Sequence, residues 1–238
     1  MKGSGKNPTP KLSIIMPCLD EAAGIVAALE RLQALRRRSC EVIVVDGGSS
    51  DITVALATPL ADRTLSAPRG RASQMNAGAA VARGAVLLFL HADCVLPPEA
   101  DRLIIDHLAA GNRHWGRFDV RLAGTHPLLR LIAFMMNWRS RLTGIATGDQ
   151  GMFVTRERFV AAGQFPVIPL MEDVALSRKL KTRGRPACVR ARIIASARRW
   201  EKHGVVRTVV LMWRLRVAYF FGVPPADLAI RYDGNRRH

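Results

Sequence analysis

The chain has 238 residues, with 36 Lys or Arg against 19 Asp or Glu, a formal charge of +17 at neutral pH. With 49% hydrophobic and 23% charged residues, it is too apolar for a disordered chain and long enough for one large domain, with or without an appendage. Cys18, Cys40, Cys94 and Cys188 stand far apart without a CxxC pair, which argues against a zinc site or a disulfide framework and for a reducing cytoplasm.

Met1–Lys11 is polar and rich in Gly and Pro, lacks the apolar stretch of a secretory signal, and reads as a disordered leader. No run of about 18 uncharged apolar residues predicts a membrane span. Leu12–Met16 reads as a buried strand ending at Pro17. A helix is expected next, with Asp20 and Glu21 at its start and Ile25, Val26, Leu29, Leu32 and Leu35 at helical spacing. Glu41–Val45 reads as a second strand, stopped by the turn Asp46–Asp51. Helix Ser73–Ala82 and strand Val86–Leu90 complete three strand–helix alternations. That order predicts an α/β chain with a doubly wound, mostly parallel sheet flanked by helices.

The second half is less regular. Asp119–Leu122 reads as a strand, and His126–Leu142 as one amphipathic helix or two, interrupted by Arg130, Asn137, Arg139 and Arg141. A Gly-rich turn then runs into a strand over Thr147–Val154, a helix covers Met171–Leu180, and a last long helix covers Val205–Phe221. The basic excess is concentrated here: Arg178–Arg216 holds thirteen Lys or Arg and one acid. An anionic partner is expected, whether nucleic acid, an anionic membrane surface or a phosphorylated small molecule.

In doubly wound sheets ligands bind beyond the carboxyl ends of the strands. Asp46 and Asp93 follow two such strands. Singly each reads as a turn residue or helix cap; together they point to one crevice. The first strand leads into Pro17-Cys-Leu-Asp-Glu21, neither GxGxxG nor GxxxxGK[ST], which argues against a dinucleotide dehydrogenase and a P-loop NTPase. Acids at strand ends can instead hold a divalent cation, the cation a diphosphate, and basic residues the remaining charge.

The order of motifs resembles family 2 glycosyltransferases of the GT-A fold. Ser13-Ile-Ile-Met-Pro-Cys-Leu-Asp-Glu21 is similar to the family's first strand and nucleotide loop, Val44-Val-Asp-Gly-Gly-Ser-Ser-Asp51 to its second-strand motif, and Arg69–Gly78 to the segment near ribose and diphosphate. The resemblance implies donor contacts from Pro17, Leu19, Glu21, Asp46, Ser49, Arg71, Asn76, His91, Ala92 and Asp93. Phe89-Leu-His-Ala-Asp-Cys94 stands where the family has DxD, so Asp93 is implied as ligand of Mn2+ or Mg2+. His91 replaces the first Asp, with metal ligation or a hydrogen bond to ribose or phosphate left open.

Glu172-Asp173 resembles the family's ED motif. It implies Asp173 as general base, taking the acceptor hydroxyl proton while that oxygen attacks the anomeric carbon opposite the nucleotide. Asp149 and Gln150 of Gly148–Phe153 are implied sugar or acceptor contacts. Ser196-Ala-Arg-Arg-Trp200 is similar to QxxRW with Ser for Gln, placing Arg199 and Trp200, with Lys202 and His203, at the acceptor or departing diphosphate.

The resemblance divides the chain into residues 12–95, a nucleotide-binding half, residues 96–200, an acceptor half, and 201–238, a helical extension. The FLHAD and ARRW patterns resemble small soluble bacterial members labelled arsenosugar biosynthesis glycosyltransferases; related sequences include carotenoid-acid glycosyltransferases. A nucleotide-diphosphate sugar, UDP-linked, is the expected donor and a hydroxyl compound the acceptor. The helices at 126–142 and 205–221 are expected either to lie on the inner face of an anionic membrane or to pack on the sheet or in a homodimer. A nucleic-acid-binding protein is the alternative from another class, weakened by an aromatic content of only 6% and the lack of a recognised motif.

Overall fold

A computed structural model describes residues 9–111 and 113–234, without the side chains of Arg199 and Asp233. Residues 1–8 of the expected leader lie outside that range. The elements in chain order are β1 (Leu12–Cys18), α1 (Ile25–Arg37), β2 (Glu41–Asp46), α2 (Thr53–Ala57), β3 (Arg63–Ser66), α3 (Arg71–Val81), β4 (Val86–Phe89), β5 (Cys94–Val95), α4 (Ala100–Ala110), β6 (Trp115–Leu122), α5 (Leu128–Thr143), β7 (Met152–Thr155), α6 (Arg156–Ala161), α7 (Glu172–Lys181), β8 (Ala187–Ala195), α8 (Arg198–His203), α9 (Val205–Phe220) and α10 (Pro225–Gly234). The strands form one sheet in the order β3-β2-β1-β4-β7-β6-β8-β5.

β1 through β4 pair in parallel, as the strand–helix alternation predicts. Both faces of β1 and β2 are buried, which is why their sequences are nearly unbroken apolar runs. Alternate residues feed two cores. Ile14, Met16, Val42 and Val44 face α1, α4 and α5, whereas Ile15, Ile43 and Val45 face α3, α6 and α7. α3 approaches this second face closely, since a Cβ on Gly78 would lie 2.5 Å from Ile15 Cγ2.

The second half inserts β7 antiparallel between β4 and β6, while β6 and β8 run parallel. Residues 126–142 resolve into the single helix α5. It is fastened to β6 by Asn137, whose Oδ1 accepts from Val120 N at 2.8 Å and whose Nδ2 donates to Val120 O at 2.9 Å. Fully buried Arg117 donates to Asp119, to Ser140 Oγ and to Asn137 O, and Arg141 donates to Asp119 from the other side.

The first helix departs from expectation. It begins at Ile25, and Asp20 stands in the left-handed region at φ 51°. The Asp20 carboxylate accepts from Ser50 N at 2.7 Å, so it links the loops after β1 and β2 rather than capping α1. The reason is local: Gly24 N and Ile25 N both donate to Glu21 O, closing a turn before the helix starts. No described helix is long and apolar enough to cross a membrane.

Candidate active site

The carboxyl ends of β1, β2 and β4 open on two cross-linked loops. Thr53 Oγ1 accepts from Glu21 N at 2.8 Å, and Asp51 Oδ2 accepts from Ala22 N at 3.1 Å. Asp46 is buried and its carboxylate turns back on its own loop, taking Gly48 N at 2.9 Å and Ser49 N at 3.0 Å. Pro17 is buried in β1 opposite Val45, Leu19 is half-buried, and Ser49 Oγ accepts from Asp20 N at 2.9 Å while donating to Asp46. Asn76 differs from the expected donor contact. Its amide brackets Phe165, donating to the carbonyl at 2.9 Å and accepting from the N–H at 3.1 Å.

His91 and Asp93 follow β4. His91 Nδ1 lies 3.5 Å from Asp149 Oδ1. Burial favours neutral imidazole, but the Asp149 hydrogen bond and carboxylate charges outweigh it and raise the His91 pKa; Asp149 falls despite its own burial, held down by His91 and Arg71. The ring packs so tightly on the next loop that a Cβ on Gly148 would sit 2.4 Å from its Cε1. Ala92 is half-buried against the core, and Asp93 is exposed.

One turn of 3-10 helix, Gly148–Gln150, joins the His91 end of the site to the ED motif. Gly148 N donates to Asp173 Oδ2 at 2.8 Å, and Val174 N donates to Asp173 Oδ1 at 2.7 Å. Gln150 has a different task from the expected sugar contact. It is fully buried, and its Oε1 accepts from Thr147 N at 3.2 Å in a capping box that shapes the turn.

Glu172 and Asp173 open α7 directly after Met171, which holds φ 70°. Such a conformation disfavours a side chain by about 1 kcal/mol or more, so packing must hold it. Met171 is buried with Leu170, Leu215 and Leu228, placing α9 and α10 against the motif. Glu172 Oε1 pairs with Arg71 Nε at 2.9 Å, while its Oε2 is buried without a hydrogen-bond partner. Burial raises Glu172 more than Arg71 lowers it. Arg71, at the start of α3, retains its proton against burial through Glu172, Asp173, Asp149 and Asp93, in that order.

Trp200 is half-buried against the sheet core and Lys202 is exposed; His203 is half-buried. The Arg199 side chain lies outside the described residues. Its neighbour Arg198 instead approaches Glu21, at 4.0 Å. Sequence reasoning also passed over Arg139 and Arg216 as site residues. Both are half-buried, burial lowers the pKa of each, and the charge of Asp173 opposes that in both. Arg139 follows buried Met136 of α5 by three residues, a helical spacing that marks an inward-facing arginine; Arg216 of α9 has no such neighbour.

Cation-ligand atoms of His91, Asp93 and Cys94 lie within 4.8 Å of one another. Imidazole and carboxylate fit Mn2+, and carboxylate fits Mg2+. Cys94 is buried and its thiol is pushed well above its ordinary pKa, chiefly by burial. That leaves His91 and Asp93 as the fitting donors.

The model of the family described as Glycosyl transferase family 2 matches residues 13–161. The chain is a family 2 glycosyltransferase. A transferase named undecaprenyl-phosphate 4-deoxy-4-formamido-L-arabinose transferase, from Pseudomonas paraeruginosa, is 28% identical over 170 residues, covering 63% of this glycosyltransferase and 48% of its relative. The glycosyltransferase thus spans about half the length of that relative.

Among solved structures, TarS of S. aureus in complex with UDP-GlcNAc superposes with a TM-score of 0.64 at 16% identity, over 78% of this glycosyltransferase and 58% of TarS. Mannosyltransferase PcManGT of Pyrobaculum calidifontis, in complex with GDP-Man and Mn2+, gives 0.64 at 20% identity, over 95% and 71%. These likenesses establish the GT-A fold. Family membership also displaces the nucleic-acid-binding alternative.

Proposed function

We propose that this glycosyltransferase moves a sugar from a nucleotide-diphosphate donor, UDP-linked, to a hydroxyl acceptor with inversion at the anomeric carbon, and that Asp173 is the general base. The observation that carries the reading is the loop linking His91–Asp149 to Gly148–Asp173. It fixes a carboxylate next to the groups suited to a diphosphate. Asp173 receives one backbone N–H on each oxygen, which fixes its orientation and leaves lone pairs for an acceptor O–H. The acceptor oxygen forms the new bond to the anomeric carbon as the bond to the diphosphate breaks, and its proton passes to Asp173. Arg71 faces the negative charge that develops on the departing oxygen.

His91 and Asp93 would hold the Mn2+ or Mg2+ expected by family resemblance. When bound there, the cation supplies charge neutralisation for the diphosphate. The complex of the structurally similar mannosyltransferase with GDP-Man and Mn2+ supports this reading. The exposed apolar residues Phe134 and Trp138 of α5 and Trp213 and Phe220 of α9, interspersed with arginines, support work at the inner surface of an anionic membrane.

Asp173→Asn keeps the shape of the side chain and removes the base. Transfer should fall by about 10²–10⁴-fold, while UDP affinity measured by calorimetry stays within a factor of about two. Near-normal turnover in the variant contradicts the assignment of the base.

A further inference from the structure

A basic cavity of about 790 Å³ lies outside the donor site. Ala187 and Cys188 line it at the start of β8, and β8 runs with β6 and therefore with β4 and β1. The donor crevice opens beyond the carboxyl ends of β1, β2 and β4, so the cavity occupies the opposite edge of the sheet.

Four cations, Arg113, Arg141, Lys181 and Arg185, line the cavity against one acid, Asp106, among the described residues. Arg141 is matched by Asp119. Arg113 Nη1 donates to Arg185 O at 3.1 Å and to Pro186 O at 2.9 Å, and Lys181 Nζ donates to Thr143 O at 3.2 Å. These bonds anchor both side chains at the cavity. Each uses only part of the donor set, and a carbonyl oxygen does not cancel a full charge. The exposed guanidinium of Arg185 has no hydrogen bond or ion pair among the described residues.

An apolar face runs into this cavity. Leu131, Met135, Trp138 and Leu142 of α5 are exposed, and their alternating spacing of four and three residues sets them in one stripe. Leu142, the last of the stripe, also lines the cavity. Phe134 stacks beside Trp138, with ring centroids 6.5 Å apart. α5 contains no acid, so nothing on it repels an anionic surface.

We propose that the cavity binds the phosphate of an anionic phospholipid while the α5 stripe lies in the apolar layer of the same bilayer. A phospholipid phosphate stands at the boundary between acyl chains and water, the level at which a helix lying in the interface carries its polar edge. Arginine and lysine reach that level with their stems over apolar surface, and the forks of Arg113 and Arg185 match phosphate oxygens. The inference rests on the reading that the chain works at a membrane surface and adds to it a lipid site remote from the chemistry.

The test is flotation of the full chain with phosphatidylcholine vesicles containing either phosphatidylglycerol or, at equal surface charge, oleate, whose anion is a carboxylate. The wild type should float more tightly with phosphatidylglycerol. Arg185→Gln and Lys181→Gln should each lower that partitioning by about fivefold and remove the preference over oleate. Arg63→Gln takes the same charge from β3, five strands from β6 or about 24 Å away, and should change partitioning by less than about twofold. Trp138→Glu should abolish flotation. UDP affinity and melting temperature should stay unchanged in all four variants, whose replaced side chains are exposed. Flotation that Arg185→Gln and Lys181→Gln leave unchanged, or that is equal with oleate, overturns the lipid-phosphate site and leaves the membrane reading standing. No flotation of the wild type overturns the membrane reading itself, and a dimer in sedimentation that Trp138→Glu dissociates assigns the stripe to a second copy of the chain.

Discussion

Gly148 is the residue on which the two halves of the site turn. Its lack of a side chain lets His91 lie against the loop, and its N–H orients Asp173. Gly148→Ala should therefore displace the imidazole, lowering Mn2+-dependent UDP affinity by about tenfold with little change in melting temperature. Retention of full metal-dependent affinity would show that the His91 position does not matter for donor binding. Glu172 illustrates the opposite use of burial. Its raised pKa means that ionising it above the ordinary carboxylate range costs stability, and Arg71 offsets part of that cost. At this scale the sequence was informative about residue type and order. Asp173, Asp149, His91 and Arg71 stand together, but the roles of Asn76 and Gln150 were not legible. Both amides bond backbone groups in folded loops, and no spacing rule distinguishes such an amide from one that contacts a sugar.

Carboxylates also join element to element. Glu41 at the start of β2 accepts from Ser13 Oγ of β1 at 2.6 Å and from Arg83 N and Nε at 2.8 Å; Asp62 ties Arg36 of α1 to Val42 N of β2; Asp101 of α4 holds Arg38 beyond α1. Burial works against ionisation of Glu41 and Asp62 but hydrogen bonds outweigh it, and in Asp101 the Arg38 bond dominates. All three lie below their ordinary pKa. A carboxylate depressed in the fold stabilises it above its unfolded pKa, about 4, and that stability is lost as pH falls through the folded value. Urea midpoints should drop steeply below about pH 4, and Glu41→Gln should flatten that drop. An unchanged acid slope in the variant contradicts the role of Glu41. Strands β1, β2 and β4 were legible because buried parallel strands are apolar runs. β3 and β8 were not, because β3 is an exposed edge strand and β8 carries Arg190 and Arg192 on its outward positions. The start of α1 was misjudged because Asp20 links two loops that are distant in sequence.

Across the whole molecule, the charge of +17 now has several addresses. Arg71 pairs with Glu172, and the charge of Asp173 acts on Arg139 and Arg216. A separate cavity of about 790 Å³ at the far end of α7 takes Arg113, Arg141, Lys181 and Arg185. The C-terminal helices, read from the sequence as an extension, pack on Met171 and bring Arg216 towards Asp173, since α9 shares a buried cluster with the residues before α7. Sequence periodicity shows that a helix has an inner face but not which distant turn that face covers. We propose that this crevice binds a nucleotide diphosphate with a divalent cation held by Asp93. The most direct measurement is calorimetric titration of UDP into the wild type and Asp93→Ala, each with and without Mn2+. Mn2+ should tighten UDP binding by about tenfold or more in the wild type and have no effect in the variant. Equal UDP affinity with and without Mn2+ in the wild type contradicts it.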